Sequence, residues 1–305
     1  MKLGLLTAAF PTLSLEEVAD WAAGNGFAAL EVACWPAGEG AVRRYAGVSH
    51  IDVEALDDDG ARRIVDALGE RGLQISALAY YPNPLDPDPD AARAAVEHLR
   101  NVIVAAERLG VEVVGTFAGR DRTLGIEPNL QRFSEVWPEL VRFAGDHGRK
   151  IAIENCPMIF SADEWPGGDN LAFAPAVWRQ MFEIVPDANF GLNFDPSHLV
   201  WQFIDCPRAI HEFGARIFHA HAKDVEVRPD GLYEWGVMSA GVGWQVPRLC
   251  GLGEVDWNAF FGALYAVGYD FVASVEHEDR GFEGSVEAVQ RGFLIARDNL
   301  APFIH

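Results

Sequence analysis

The sequence predicts an α/β protein: a single-domain (β/α)8 TIM barrel over residues 1–305, with a metal site at the C-terminal ends of its strands. Two observations carry this. Eight short apolar runs alternate with eight amphipathic stretches, the pattern of strands that pair in parallel through helical crossovers. Eight such units in 305 residues fit a closed barrel better than an open doubly wound sheet. No Gly-x-Gly-x-x-Gly follows the first run, so a dinucleotide fold has little support.

The units follow in order. A strand over 3–8 precedes a helix capped by Ser14, with Leu15, Val18, Ala19 and Ala22 on one face and Gly24 and Gly26 ending it. A strand at 28–33 leads into a long loop, 34–52, that holds Trp35, Tyr45 and His50. A helix over 54–71, a strand at 73–79, a proline-rich loop and a helix over 89–109 come next. Then come a strand at 111–117, a helix at 130–147 and the run Ile151-Ala152-Ile153-Glu154-Asn155-Cys156-Pro157. A Gly-, Asp- and Trp-rich loop and a helix at 174–184 lead to a strand ending at Asp195, then a short helix at 207–213 and a strand ending at His221. The stretch 224–254 reads as irregular; a helix at 256–267, a strand ending at Glu276 and a helix at 283–299 close the series.

Composition narrows the function. Half of the residues are hydrophobic, and 45 Asp and Glu against 24 Lys and Arg give a net charge of −21. Such a surface repels phosphate backbones, so no nucleic-acid partner is expected. No apolar run approaches the roughly 20 residues of a membrane span. Four widely spaced cysteines without a CxxC fit reduced thiols, and a cytoplasmic location is expected.

Four of the strands share a design: an apolar run ends in Glu154, Asp195, His221 or Glu276. An ionised carboxylate at the edge of a core is costly unless something neutralises it. Three of them brought together repel, unless a shared cation sits among them. Three oxygens and one imidazole suit one divalent ion, Mn, Mg or Co first, with Zn a further candidate. Each residue has a plainer reading. Glu154 can pair with an Arg or cap a helix; Asp195 can close an Asx turn ahead of Pro196-Ser197-His198. His219 shares the His221 face by the two-residue period and reads as a hydrogen-bonded core histidine, and Glu276 has neighbours in His277 and Glu278.

The segments Ile153-Glu154-Asn155, Asp195-Pro196-Ser197-His198, His219-x-His221-x-Lys223-Asp224, Gly253-Glu254-Val255-Asp256-Trp257 and Glu276-His277-Glu278 resemble those of the xylose isomerase-like (β/α)8 superfamily. The likeness is greatest to its sugar phosphate isomerase/epimerase group, which includes ketose 3-epimerases, hydroxypyruvate isomerase and inosose dehydratase. The resemblance implies Glu154, Asp195, His221 and Glu276 as metal ligands. It also implies that Glu154 and Glu276 exchange protons with a sugar or keto-sugar beside a metal-bound carbonyl, through an enediolate. By the same likeness His198 contacts substrate oxygens, Arg248 resembles an arginine that does so, and the assembly is a dimer or tetramer. Lys223 reads either as a substrate ligand or as a surface partner of Asp224. Trp35, Trp165, Trp235 and Trp244 stand in long loops and read either as walls for a ring or as packing. Cys156 reads as a bystander. A lyase of the same superfamily, like an inosose dehydratase or a keto-glycoside deglycosidase, is the alternative. An endonuclease IV-like repair enzyme or a non-catalytic sugar sensor ranks lower.

Overall fold

Eight parallel strands close into a barrel. The computed structural model describes residues 1–38, 47–159, 168–237 and 243–304. In chain order the strands are β1 (Lys2–Leu6), β2 (Ala29–Ala33), β3 (Gln74–Ala79), β4 (Val113–Thr116), β5 (Lys150–Glu154), β6 (Phe190–Phe194), β7 (Ile217–Ala222), β8 (Asp224–Val227), β9 (Gln245–Arg248) and β10 (Val272–Val275). Around the barrel they run β1-β10-β7-β6-β5-β4-β3-β2, while β8 and β9 form a separate antiparallel pair. Strands β5, β6, β7 and β10 are therefore contiguous neighbours. Their C-terminal ends share one half of the barrel mouth.

The helices are α1 (Leu15–Gly24), α2 (Asp58–Glu70), α3 (Pro89–Leu109), α4 (Ile126–Asp146), α5 (Pro175–Ile184), α6 (Ser197–Val200), α7 (Cys206–Phe213), α8 (Pro229–Trp235), α9 (Trp257–Ala266) and α10 (Val286–Leu300). Their starts follow local chemistry. The Ser14 side chain accepts the Glu17 N–H while Glu17 accepts the Ser14 N–H, which makes a capping box on α1. Helix α2 begins at Asp58 and not near 54, because Asp52 binds the N–H groups of Glu54 and Ala55 and holds them in a turn. Asp57 then caps the helix. Helix α4 starts a turn earlier than its apolar pattern indicates, from Gly125, which has no side-chain cap.

The stretch 224–254 differs most from the sequence reading. It contains β8, α8 and β9 in place of irregular chain. Asp224 gathers the segment: its Oδ1 accepts N–H groups of Val225 and Val255, and its Oδ2 accepts those of Gly251 and the Trp257 indole. A side chain that spends its lone pairs on backbone leaves little sequence periodicity.

The period of two sorts each strand. Outward residues such as Ile151, Ile153, Leu192, Phe194, Ala220 and Val275 join one core beneath the helices, with Trp137, Trp178, Phe133 and Phe293 fully buried there. Burying each such large side chain contributes roughly 1.5–3 kcal/mol. Inward residues near the mouth are instead polar: Glu31, Glu154, Asn193, His219, His221 and Ser274 are all buried.

Candidate active site and metal centre

Glu154 ends β5, Asp195 follows β6, His221 lies in β7 and Glu276 follows β10. Each offers one ligand atom, and these four atoms all lie within 4.8 Å of one another. His221 Nδ1 is 3.6 Å from Glu154 Oε1 and 3.3 Å from Glu276 Oε2. The convergence is built from the backbone. Asn155 accepts the Asp195 N–H through Oδ1 and donates Nδ2 to the Asp195 carbonyl, so the ends of β5 and β6 are clamped together. Asn170 donates to the carbonyls of Glu154 and Cys156, which fixes the next turn. Asp195 Oδ1 accepts the Ser197 N–H in an Asx turn, and that leaves Oδ2 for the cluster.

The donor set fits a divalent ion. Glu154 Oε1, Asp195 Oδ2 and His221 Nδ1 are buried and make no hydrogen bond. Buried polar atoms without hydrogen bonds are costly, and with Lys223 Nζ 3.1 Å from Asp195 Oδ2 as their nearest cation they form a candidate metal site. His221 Nε2 lies 2.9 Å from Glu31 Oε2, so a ring with its one proton on Nε2 would present the Nδ1 lone pair to a metal.

Glu31 and its partners were not singled out in the sequence. Glu31 lies in β2 and is fully buried; the Tyr81 hydroxyl donates to its Oε1 at 2.6 Å. Asn193 Nδ2 donates to the Tyr81 oxygen, and Asn193 Oδ1 lies 3.1 Å from His219 Nδ1. His219 also meets Ser76 Oγ at 3.1 Å, so it is a hydrogen-bonded core residue. Gly115 makes room for this layer, because a Cβ there would stand 2.6 Å from the Tyr81 hydroxyl. The signal available was an ionisable residue in the middle of the otherwise apolar run Ala29-Leu30-Glu31-Val32-Ala33.

Lys223 is buried, with Nζ 2.6 Å from Glu276 Oε2 and 3.1 Å from both Asp195 Oδ2 and Glu278 Oε2. It faces the cluster and not Asp224, whose oxygens are taken by backbone. His198 Nε2 stands 3.3 Å from Asp195 Oδ2, and neither of its ring nitrogens makes a hydrogen bond.

Charge is distributed unevenly. Burial, with the charge of Glu276 beside it, pushes the Glu154 carboxyl up to about 7, although His221 and Lys223 pull the other way. Burial also works against the Glu276 carboxylate, but Lys223 and then His221 bring it down to about 2. Burial would likewise raise Glu31; the charges of His221 and His219 hold it at about 2. His198 is driven well below the usual histidine range by burial and by Lys223. Burial and Glu154 hold Cys156 as a thiol, which removes it as a nucleophile.

The other expected residues lie further out. Arg248 is bound by Glu226 and Asp279, with Nη1 3.2 Å from Asp279 Oδ1, and contacts none of the four ligand residues among the described contacts. Trp35 packs against Tyr80 and Tyr81, one ring removed from Glu31. Trp244 is buried against Trp201, Trp235 is exposed, and Trp165 and Tyr45 lie outside the described residues.

This geometry meets the known proteins as follows. The family model for the xylose isomerase-like TIM barrel matches residues 19–298. The chain belongs to that family. An uncharacterised protein of Bacillus subtilis, YfiH, is 25% identical over 324 aligned positions, 95% of this chain and 99% of YfiH. Among solved structures, a probable 3-DHS dehydratase of Bacillus anthracis superposes with a TM-score of 0.72 at 16% identity, covering 99% of each chain. D-psicose 3-epimerase of Clostridium cellulolyticum H10, solved with D-tagatose, superposes at 0.69 and 16% identity over 100% of this chain and 99% of its own. The fold likeness extends over the whole chain. Among the described residues no helix is long and apolar enough to cross a membrane.

Proposed function

We propose that the chain is a divalent-metal-dependent isomerase or epimerase of a sugar or sugar derivative. The observation that carries this reading is the unlike pair Glu154 and Glu276, with oxygens 3.6 and 3.3 Å from His221 Nδ1 in a group able to hold a metal ion. Glu154, Asp195, His221 and Glu276 would hold the metal. When bound, it supplies Lewis acidity that acidifies the carbon next to a carbonyl.

The chain's own groups do the rest. Glu154, with a carboxyl pushed up to about 7, is suited to take a proton from that carbon and to give one back. Glu276 serves the opposite face and is kept ionised by Lys223. His198, neutral and with both ring nitrogens unpaired, is placed to hold a substrate oxygen. Lys223 orients Asp195 and Glu276 and can meet a second oxygen. Trp35 backs the Tyr81 side of the pocket, and Arg248 is assigned to its rim through Asp279.

A lyase is the second reading. The Lys223 ammonium, 2.6 Å from Glu276, is a proton donor placed for a departing hydroxyl, and the dehydratase named above shares the fold. Incubating the metal-loaded protein with ketoses in deuterated water separates the two. Deuterium at the exchanged carbon without loss of water supports an isomerase; stoichiometric loss of water supports a lyase. No exchange with any polyhydroxylated ketone overturns both.

A further inference from the structure

A cleft of about 240 Å³ is walled by loops that follow β4, β5 and β6 and by Val237 and Trp244, which lie between α8 and β9. It shares chain with the cluster: Pro157 comes three residues after Glu154, and Gln202 donates to the carbonyls of His198 and Phe173. Its walls are Phe173, Trp201, Phe203 and Trp244, with Arg120 set among them. An apolar cavity of roughly 150 Å³ admits one benzene ring, so this one has room for a ring and a substituent.

Arg120 is the second observation. It is 3% exposed, its guanidinium lies 5.7 Å from the Phe173 ring, and Nε makes no hydrogen bond. Its one guanidinium hydrogen bond among the described residues runs to the Leu124 carbonyl at 3.5 Å, the limit of such a contact. The charge of Asp169 acts on it, but a buried guanidinium with so few hydrogen bonds is costly unless a ligand completes them. A third observation agrees. Among the described residues, the two non-glycine residues with left-handed backbone, Met158 and Phe203, both with φ of 57°, stand in the loops that wall the cleft. Strain of that kind persists where the surroundings enforce it, and it gathers at ligand clamps.

We propose that this cleft is a second subsite, which takes a flat ring carrying an anionic oxygen, at the far end of a substrate whose carbonyl end lies among Glu154, Asp195, His221 and Glu276. The ring stacks on the aromatic walls and the anion pairs with Arg120. The inference rests on the proposed function for the position of the carbonyl end, but the subsite is tested by binding alone. Tryptophan fluorescence of the magnesium-loaded protein is titrated with benzoate, benzamide and inorganic phosphate. Saturable quenching is expected with benzoate, about 10-fold tighter than with benzamide and with no comparable effect of phosphate. Arg120→Met should bring benzoate to the benzamide level, while removing magnesium with a chelator should leave benzoate binding unchanged. Equal binding of benzoate and benzamide by the unmodified protein overturns the proposal even if Arg120→Met does not fold. So does equally tight phosphate, which would make the site one for bare anions, and so does loss of benzoate binding on chelation, which would put the acid on the metal. Deuterium exchange into ketoses with no benzoate binding would sink the subsite and leave the isomerase reading standing. Benzoate binding without exchange would do the reverse.

Discussion

Glu31 Oε2 stands 2.9 Å from His221 Nε2, although the two residues are 190 positions apart and neither side chain meets solvent. The contact fixes which imidazole nitrogen faces Glu154 and Glu276. A carboxylate behind a metal-binding histidine orients the ring and strengthens it as a ligand, and its loss typically costs 10–100-fold in affinity. Glu31→Gln is therefore expected to weaken Co²⁺ or Mn²⁺ binding by roughly 10–100-fold. Calorimetric titration measures this, and an unchanged affinity would remove Glu31 from the site's machinery.

Metal should stabilise the fold in proportion to its binding. At about 100 times the dissociation constant, the gain is about 2.7 kcal/mol and raises Tm by roughly 5 °C. Asp195→Asn replaces a carboxylate of the cluster by an amide and is expected to abolish most of that rise. Differential scanning calorimetry with and without chelator reads both; an equal rise in the variant would place the ion elsewhere.

Glu154→Gln and Glu276→Gln test the two faces. Each should lower deuterium exchange into a ketose by about 10²- to 10⁴-fold, the usual contribution of a positioned acid or base. Metal affinity measured alongside separates a lost ligand from a lost proton carrier. Exchange that survives in both variants contradicts the assignment of the pair.

Asp224 accepts four hydrogen bonds that hold the two ends of the 224–254 segment together. Asp224→Ala would leave those donors without partners, and a loss of about 3 kcal/mol is expected. Urea unfolding measures it, and limited proteolysis should find the first new cuts between β8 and α9. A variant as stable as its parent would show that water replaces the carboxylate without cost.

His50 supplies a pH signature away from the acid cluster. Burial lowers its pKa, while the bonds from Nε2 to the carbonyls of Phe10 and Leu13 only partly oppose this. The folded pKa thus lies below the unfolded value of about 6.5. The associated stability is present above that value and is lost as pH falls through it towards the folded pKa. Between about pH 7 and 5 the parent should lose stability relative to His50→Gln. Parallel urea midpoints across that range would contradict it.

Much of this molecule could be read from its sequence. Apolar runs that end in Glu154, Asp195, His221 and Glu276 announced both the barrel and the mouth, because burial of a charge is conspicuous in a short strand. Glu31 escaped because it lies inside its strand, and its partners Tyr81, Asn193 and His221 come from three other parts of the chain. The β8–β9 pair escaped for a different reason. Its order is set by Asp224 bonding to backbone groups as far as Val255 and to the Trp257 indole, and such long-range ties have no period to detect. Lys223 left two readings open, because its partners Asp195, Glu276 and Glu278 follow other strands and are distant in sequence.

Among the described residues the β8–β9 pair forms its own sheet and no ladder with a strand of the barrel. A part joined in this way can be lengthened, shortened or exchanged without unzipping what carries it. Variation thus has a natural address between β8 and β9, while Glu154, Asp195 and Glu276 stay where the closed sheet put them.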